Sequence, residues 1–216
     1  MKLTHKRELL IYYLRAMKKI TFACLTTLML NLGCTPEEQV LNIGFGSCNE
    51  PNQTQHLLPT LDKALDSLDH FIWLGDNIYL NNEQWNSYDS TMARYNTVFG
   101  QPIFRDLLSK SHHLAIWDDH DAGPNDCDLS TFSGYSTTMR AFKDFWEPDY
   151  PQPNSNSYYG QISTAGGLVD IYLLDNRSFR THKDSTNATV FGVEQLNWFH
   201  NTLSNSTAKV HVICMG

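Results

Sequence analysis

Several side chains with metal-binding chemistry directly follow apolar runs of the chain. They are a thiol, two carboxylates, a phenol and an imidazole: Cys48, Asp76, Tyr79, Asp119 and His120. A carboxylate can bridge two ions, and a thiolate or phenolate suits oxidised iron. These residue types therefore predict a metal centre, provided that the fold brings them together.

The same segments also have purely structural interpretations. Asp76 and Asn77 can form an Asx-type turn, although Asn77 could also bind a metal. The acids of residues 118–121 can lie in a solvated turn or cap a helix. Carboxylates that cluster without a cation raise one another's pKa. Three basic residues could supply the positive charge in place of a metal: Arg94, Arg105 and Lys110.

The hydrophobic pattern predicts the elements that must position these residues. Apolar runs predict strands at residues 40–48, 71–80, 113–121 and 209–216, and a β-hairpin in which YYGQI and LVDIYLLD flank STAGG. Helical spacing predicts helices at residues 56–70, 87–99, 135–147 and 192–206, the third with a Ser or Thr cap. Alternating strands and helices indicate a layered α/β fold. If the first three strands are neighbours in one sheet, their carboxyl ends converge.

Composition and the first residues limit where the protein acts. A formal net charge of −7 over 216 residues argues against broad binding to nucleic acid.

From Met17 the chain has two lysines, a short apolar run and a small residue before Cys34, which is typical of an export signal. LNLGC resembles a bacterial lipoprotein signal that places a lipid anchor on Cys34, although Asn31 departs from that pattern; a plain cleaved signal is the alternative. We therefore expect residues 1–39 to be signal and linker. Residues 40–216 would form a domain in the periplasm, at the outer membrane or at the cell surface.

Five motifs carry a resemblance to a known family. In their order and spacing they resemble the alkaline phosphatase D (PhoD-like) family of metallophosphatases: GSC, WLGDNIY, RYNTVFGQPIFRDLLSKSHHLAIWDDHD, DIYLLDNRSFR and FGVEQLNWF. The resemblance covers residues 43–216 and implies a layered α/β/β/α sandwich, of which this chain supplies the N-terminal portion.

The resemblance implies a role for each matching residue. The family's cysteine and tyrosine bind a ferric ion, which assigns Cys48 and Tyr79 as iron ligands. The aspartate of the GD motif bridges two metals, which assigns Asp76. Asp119 matches a ligand of the second ion, Ca²⁺ or another divalent metal, and His120 matches the histidine that contacts the substrate phosphate.

Some residues near these motifs keep two interpretations. Arg177 could contact the phosphate or a structural acid such as Asp175, and His120 could instead form a hydrogen bond to Asp121. Two cysteines of the domain, Cys127 and Cys214, are predicted to be buried thiols or a disulfide. His112 and His113, at the start of the third strand, are predicted to be surface or core histidines.

The resemblance implies hydrolysis of phosphate mono- or diesters by a metal-activated hydroxide. The family completes its site with a later GDxH turn, which does not occur in this sequence. We therefore expect the 216-residue chain alone to bind metal weakly and to turn over little. The alternative function is that of a non-catalytic surface lipoprotein whose acidic turns bind calcium.

Overall fold

Two three-stranded sheets and five helices form the part of the chain that the computed structural model describes, residues 40–50, 63–129 and 131–216. The strands are Ile43–Gly46 (β1), His70–Leu74 (β2), His112–Ile116 (β3), Gly160–Thr164 (β4), Val169–Leu174 (β5) and Val210–Met215 (β6). The α-helices are Tyr88–Phe99 (α1), Pro102–Lys110 (α2), Asp119–Ala122 (α3), Tyr135–Trp146 (α4) and Gly192–Asn205 (α5). Short 3₁₀ turns occupy Leu65–Ser67 and Ala165–Gly167.

The first sheet is entirely parallel, in the strand order β1-β2-β3. Four of the five residues of β2 (HFIWL) are buried, as expected of a central strand covered on both faces. At the amino ends, Ile43 pairs with His70 and His70 with His112, so the three carboxyl ends lie at one edge. The predicted convergence of these strand ends is therefore confirmed.

The second sheet is mixed, because β4 and β5 form an antiparallel hairpin while β6 pairs parallel with β5. The hairpin confirms the prediction, with residues 165–167 making its turn. A single hydrophobic cluster joins the two sheets and includes Ile72, Ile116 and Ile171. This shared core holds the end of β5 close to the ends of β2 and β3.

Aromatic side chains pack α1 and α4 against the first sheet. Tyr95 of α1 stacks on Phe145 of α4 with ring centres 4.6 Å apart, and Trp73 of β2 meets the edge of Phe99 at 5.0 Å. Such pairs contribute about 0.5–1.5 kcal/mol each beyond the burial of their surface. Because Trp73 lies two residues before Gly75, this packing fixes the strand end that carries Asp76.

The helices differ from the sequence predictions in four places. The first predicted helix, residues 56–70, does not continue to its predicted end, because Leu65–Ser67 is a 3₁₀ turn and His70 belongs to β2. The predicted Ser or Thr cap of α4 is wrong: the residue before the helix is Gly134, which makes no side-chain cap bond. Helix α2 is not predicted, although Pro102 at its start is a known initiation signal. The acids after β3 form the short helix α3 and do not extend the strand.

Two predictions lie outside the described residues. They are the signal and linker of residues 1–39, including the anchor at Cys34, and residues 56–62 of the first predicted helix. Among the residues that the structure does describe, no helix is both long and apolar enough to cross a membrane.

Candidate metal centre

The turns after β1 and β2 adopt backbone conformations that bring Cys48 beside Asp76. Both residues have positive φ angles, +54° and +52°, which non-glycine residues adopt at a cost of about 1–3 kcal/mol each. Two backbone hydrogen bonds join the turns, from Cys48 N to Gly75 O (3.2 Å) and from Asn49 N to Asp76 O (2.8 Å). Strained, mutually bonded turns of this kind are typical of functional sites.

Asp76 lies at the centre of the predicted ligands. Its Oδ2 accepts a hydrogen bond from the Tyr79 hydroxyl (3.1 Å) and lies 3.9 Å from the Cys48 Sγ. Its Oδ1 accepts the backbone N–H of His120 (3.3 Å). One ligand atom from each of Asp76, Asp119 and His120 lies within 4.8 Å of the others. The structure therefore brings together all five residues that the sequence predicts to line the site.

The charge at this centre is unbalanced. Burial and the neighbouring Asp119 carboxylate raise the pKa of Asp76. Burial also acts to raise the pKa of Asp119, but the backbone N–H of Asp126 and the Arg177 guanidinium outweigh it, so that this pKa is lowered. Burial and the Asp76 charge raise the pKa of the Tyr79 phenol. A cation bound here would favour the ionised forms of Asp76 and Tyr79.

The donor set fits a centre with two metal positions. Oδ2 of Asp76 faces a thiol and a phenol, whereas Oδ1 faces the start of α3, which carries Asp119. A carboxylate whose two oxygens face two different sets of metal-binding groups is suited to bridge two metal ions. Cys48 and Tyr79 could hold one ion and Asp119 the other. The His120 ring contacts the Tyr79 ring, with centres 4.3 Å apart and planes tilted by 30°.

Asp118 and Asp121 build the start of α3. Each accepts the other's backbone N–H with its side chain, which forms a capping box. Asp121 is fully buried, and it also accepts the backbone N–H groups of Asn77 (3.0 Å) and Ile78 (3.2 Å) and the Tyr95 hydroxyl (3.3 Å). Burial raises the pKa of Asp121 to about 8. Asp121 thus ties the β2 turn to α3, and Asn77 shapes that turn.

Arg177 lies behind the cluster and does not contact its predicted acid. From Arg177, Asp175 accepts only the backbone N–H (2.9 Å), because the guanidinium Nε donates to Asp118. Its Nη1 donates to Cys127 O (3.2 Å), and its Nη2 lies 3.9 Å from Asp119 Oδ1. With its side chain only 6% exposed, Arg177 is a positioning residue for Asp118 and Asp119. Of the two interpretations left open for Arg177, the structure shows contact with a structural acid, which is Asp118 and not Asp175.

Sequence reasoning missed one residue that supports the acids at the start of α3. Asn176 donates through Nδ2 to Asp118 Oδ1 (3.1 Å) and to Gly216 O (3.0 Å). Asp118 was not missed, because a helix cap was one of the interpretations of residues 118–121, and the capping box confirms it. No comparable signal marks Asn176, since its partners are distant in sequence.

The structure does not show the alternative contacts that the sequence left open for His120 and for three basic residues. His120 does not bond Asp121, whose oxygens accept from backbone, amide and phenol donors. The basic residues that could have neutralised the cluster do not contact it in the described structure, since Arg94 bonds Tyr79 O, Lys110 pairs with Asp66 and Arg105 is exposed on α2. The remaining candidates are separate buried thiols and histidines at the amino end of β3: Cys127, Cys214, His112 and His113.

Structural comparison shows the same fold in a solved protein structure. A solved structure of PhoD matches with a TM-score of 0.63 at 18% sequence identity, over 80% of this chain and 41% of that one. The chain thus spans less than half the length of that protein. A purple acid phosphatase, PPD1 from seeds of yellow lupin (Lupinus luteus), matches with a TM-score of 0.49 at 10% identity, over 78% of this chain and 28% of that one. That second likeness is too weak to support an argument.

Sequence comparison gives the family directly. No curated protein sequence matches the chain. The family model described as PhoD-like phosphatase matches residues 47–215, which include all the predicted site residues. The α/β fold and the family expected from the motifs are both confirmed: the chain belongs to the PhoD-like phosphatase family.

Proposed function

We propose that the protein hydrolyses phosphate mono- or diesters with the help of two metal ions, Fe³⁺ and Ca²⁺ or another divalent ion. The observation that carries this proposal is the arrangement of a thiol, a phenol and a second carboxylate around the two oxygens of Asp76. Membership of the PhoD-like phosphatase family supports the reaction class.

Each residue of the site has a proposed role. Cys48 and Tyr79 would hold the ferric ion, Asp119 would hold the second ion, and Asp76 would contribute to both. When bound, such ions act as Lewis acids toward a phosphoryl oxygen and lower the pKa of water. His120 is the member of its three-residue cluster that is not buried, so its imidazole can donate a hydrogen bond to a substrate phosphate oxygen.

Metal content and turnover test the proposal together. Protein expressed from the complete gene should contain iron, show a visible charge-transfer band and hydrolyse p-nitrophenyl phosphate or its bis ester. Tyr79→Phe should weaken or shift that band, whereas Tyr88→Phe should not, because the exposed Tyr88 hydroxyl bonds Asp144 away from the site. Calcium without iron, and no turnover, would favour the non-catalytic calcium-binding alternative.

Thiol chemistry provides a second test that needs no substrate. Cys48 is exposed, whereas Cys127 and Cys214 are buried, and burial raises their pKa values to about 12 and about 11. One thiol per folded, metal-free domain should therefore react rapidly with a disulfide reagent. Iron should protect that thiol if Cys48 is a ligand. Equal reactivity with and without iron would remove Cys48 from the ligand set.

We also propose that the protein is exported and anchored by a lipid on Cys34. The supporting observation is the signal-like sequence of residues 17–39. Labelling of cells with a radioactive fatty acid should mark the wild-type protein but not Cys34→Ala. A labelled Cys34→Ala protein, or an unlabelled wild type, would refute the anchor.

A further inference from the structure

A cavity lies beside Tyr79, one of the residues of the candidate metal centre. It has a volume of about 290 Å³, and its lining residues are Glu50, Tyr79, Leu80, Asn81, Gln84 and Arg94. Tyr79 belongs to both sites: its hydroxyl bonds Asp76, while its backbone carbonyl accepts a hydrogen bond from Arg94 Nε (3.1 Å). A ligand that reaches from the metal centre into this cavity would therefore run alongside one tyrosine.

The polar groups left available in this cavity are mainly donors. The Asn81 Oδ1 accepts backbone N–H groups of Glu83 (3.2 Å) and Gln84 (3.3 Å), and the Gln84 Oε1 accepts the N–H of Asn81 (3.0 Å). The acceptor ends of both amides are thus used by the turn, which leaves their NH₂ groups. Glu50, the acid in the lining, already has an interaction of its own.

Arg94 supplies the positive charge. Its Nε bond to Tyr79 O fixes the guanidinium, and no described residue forms an ion pair with it or bonds its terminal nitrogens. A planar guanidinium held in this way is pre-organised for bidentate binding of a carboxylate or phosphate. Arg177 cannot serve this purpose, because it is buried against Asp118.

We propose that this cavity is a specificity pocket, in which Arg94 binds a second anionic group of the substrate, a carboxylate or a phosphate beyond the scissile bond. This inference rests on the proposed function, because it assumes that the first phosphate lies at the metal centre. Because Asp76 bonds the hydroxyl of Tyr79 and Arg94 bonds its backbone carbonyl, the two groups lie at opposite ends of one tyrosine, and a phenyl phosphate with a para carboxylate has about that length. The preferred substrates are phosphate esters with two separated negative charges.

Matched ligands separate recognition of charge from general binding. The 4-carboxybenzyl and 4-carbamoylbenzyl phosphonates replace the ester oxygen by a methylene group, so they keep the length of the phosphates and are not hydrolysed. They have nearly the same shape and differ in one negative charge. Calorimetry on metal-loaded protein from the complete gene should show tighter binding of the carboxyl ligand to the wild type. Arg94→Gln should weaken that ligand about tenfold and leave the carbamoyl ligand unchanged, since Arg94 is only half-buried.

Two further variants separate the loss of any arginine charge from the loss of the guanidinium at Arg94, and thermal unfolding controls for loss of the fold. Arg105→Gln removes an exposed arginine outside the cavity and should change neither affinity. Arg94→Lys keeps the charge but not the fork of donors, and it should give an intermediate loss. Thermal unfolding of each variant establishes that it is folded before binding is measured.

The outcomes distinguish this inference from the proposed function. Equal weakening of both ligands in Arg94→Gln would mean that Arg94 only positions the Tyr79 turn, and would overturn the inference. Unchanged affinities, or no binding of either ligand to the wild type, would also overturn it. Selective loss of the carboxyl ligand without hydrolysis of either corresponding phosphate ester would support the pocket and refute the proposed catalysis.

Discussion

Gly75 lies where the turn after β2 comes closest to the start of α3. Its φ is +82°, and a Cβ built on it would lie 2.6 Å from the Asp118 Cβ and 3.2 Å from the Asp118 N. Gly75→Ala therefore strains the backbone and also forces the two turns apart. We predict a loss of about 2–4 kcal/mol in the free energy of unfolding. The left-handed backbone contributes about 1 kcal/mol and overpacking about 1–3 kcal/mol of this loss.

The hairpin between β4 and β5 provides a matched control. Gly167 has a φ of +87°, but no atom lies within 4 Å of a Cβ built on it. Gly167→Ala thus has the same backbone cost without the contact, and it should lose only about 1 kcal/mol. The difference between the two variants measures the close approach of Gly75 to Asp118.

Urea unfolding of metal-free protein, followed by tryptophan fluorescence, supplies both free energies. The series is then repeated with iron and calcium added. We expect these ions to stabilise the wild type and Gly167→Ala but to have little effect on Gly75→Ala, because displacement of Asp118 moves the helix that carries Asp119. Equal losses in the two metal-free variants would refute the close-packing argument. Full metal stabilisation of Gly75→Ala would refute its link to the site.

Two further perturbations follow from burial and charge. Arg177→Met should lower the free energy of unfolding by about 3 kcal/mol in urea titrations, because it leaves Asp118 without its buried cation. The control Arg105→Met, at an exposed position, should change it by less than about 0.5 kcal/mol, and equal effects would contradict the buried pair. Burial lowers the pKa of His70, with a contribution from the charge of the neighbouring His112, so the folded chain binds a proton there less tightly than the unfolded chain. The stability that comes from His70 should therefore be retained above about pH 6.5 and lost as the pH falls below it. His70→Gln should reduce the difference in urea midpoint between pH 7.5 and pH 5, and an unchanged difference would exclude His70 as a source of the pH dependence.

The ligand-bearing segments could be predicted because their signals are local. In residues 71–80 an apolar run ends abruptly in Gly75 and Asp76, and in residues 113–121 a similar run ends in acids and a histidine. Strand pattern and the change from apolar to polar residues need no knowledge of distant contacts. The parallel order of β1, β2 and β3 then brings these ends together. Both the fold class and most of the cluster follow from this reasoning.

The supporting layer could not be predicted in the same way, because its partners lie far apart in sequence. Arg177 and Asp118 are separated by 59 residues, and the spacing within DIYLLDNRSFR does not reveal which acid the guanidinium reaches. Asp175 was the nearest acid in sequence, but the backbone N–H groups of Arg177 and Ser178 occupy it. The choice between the two acids depends on the packing of β5 beside β3, which is a property of the assembled core.

The distribution of the candidate ligands over three strand ends would couple metal binding to folding. Cys48 and Asp76 are 28 residues apart, and Asp76 and His120 are 44 residues apart, so no single local segment contains the whole site. An ion that binds only the assembled sheet stabilises it by mass action, by about 2.7 kcal/mol at a hundredfold excess over the dissociation constant. Metal supply during expression would then control the yield of folded chain, before any substrate is present.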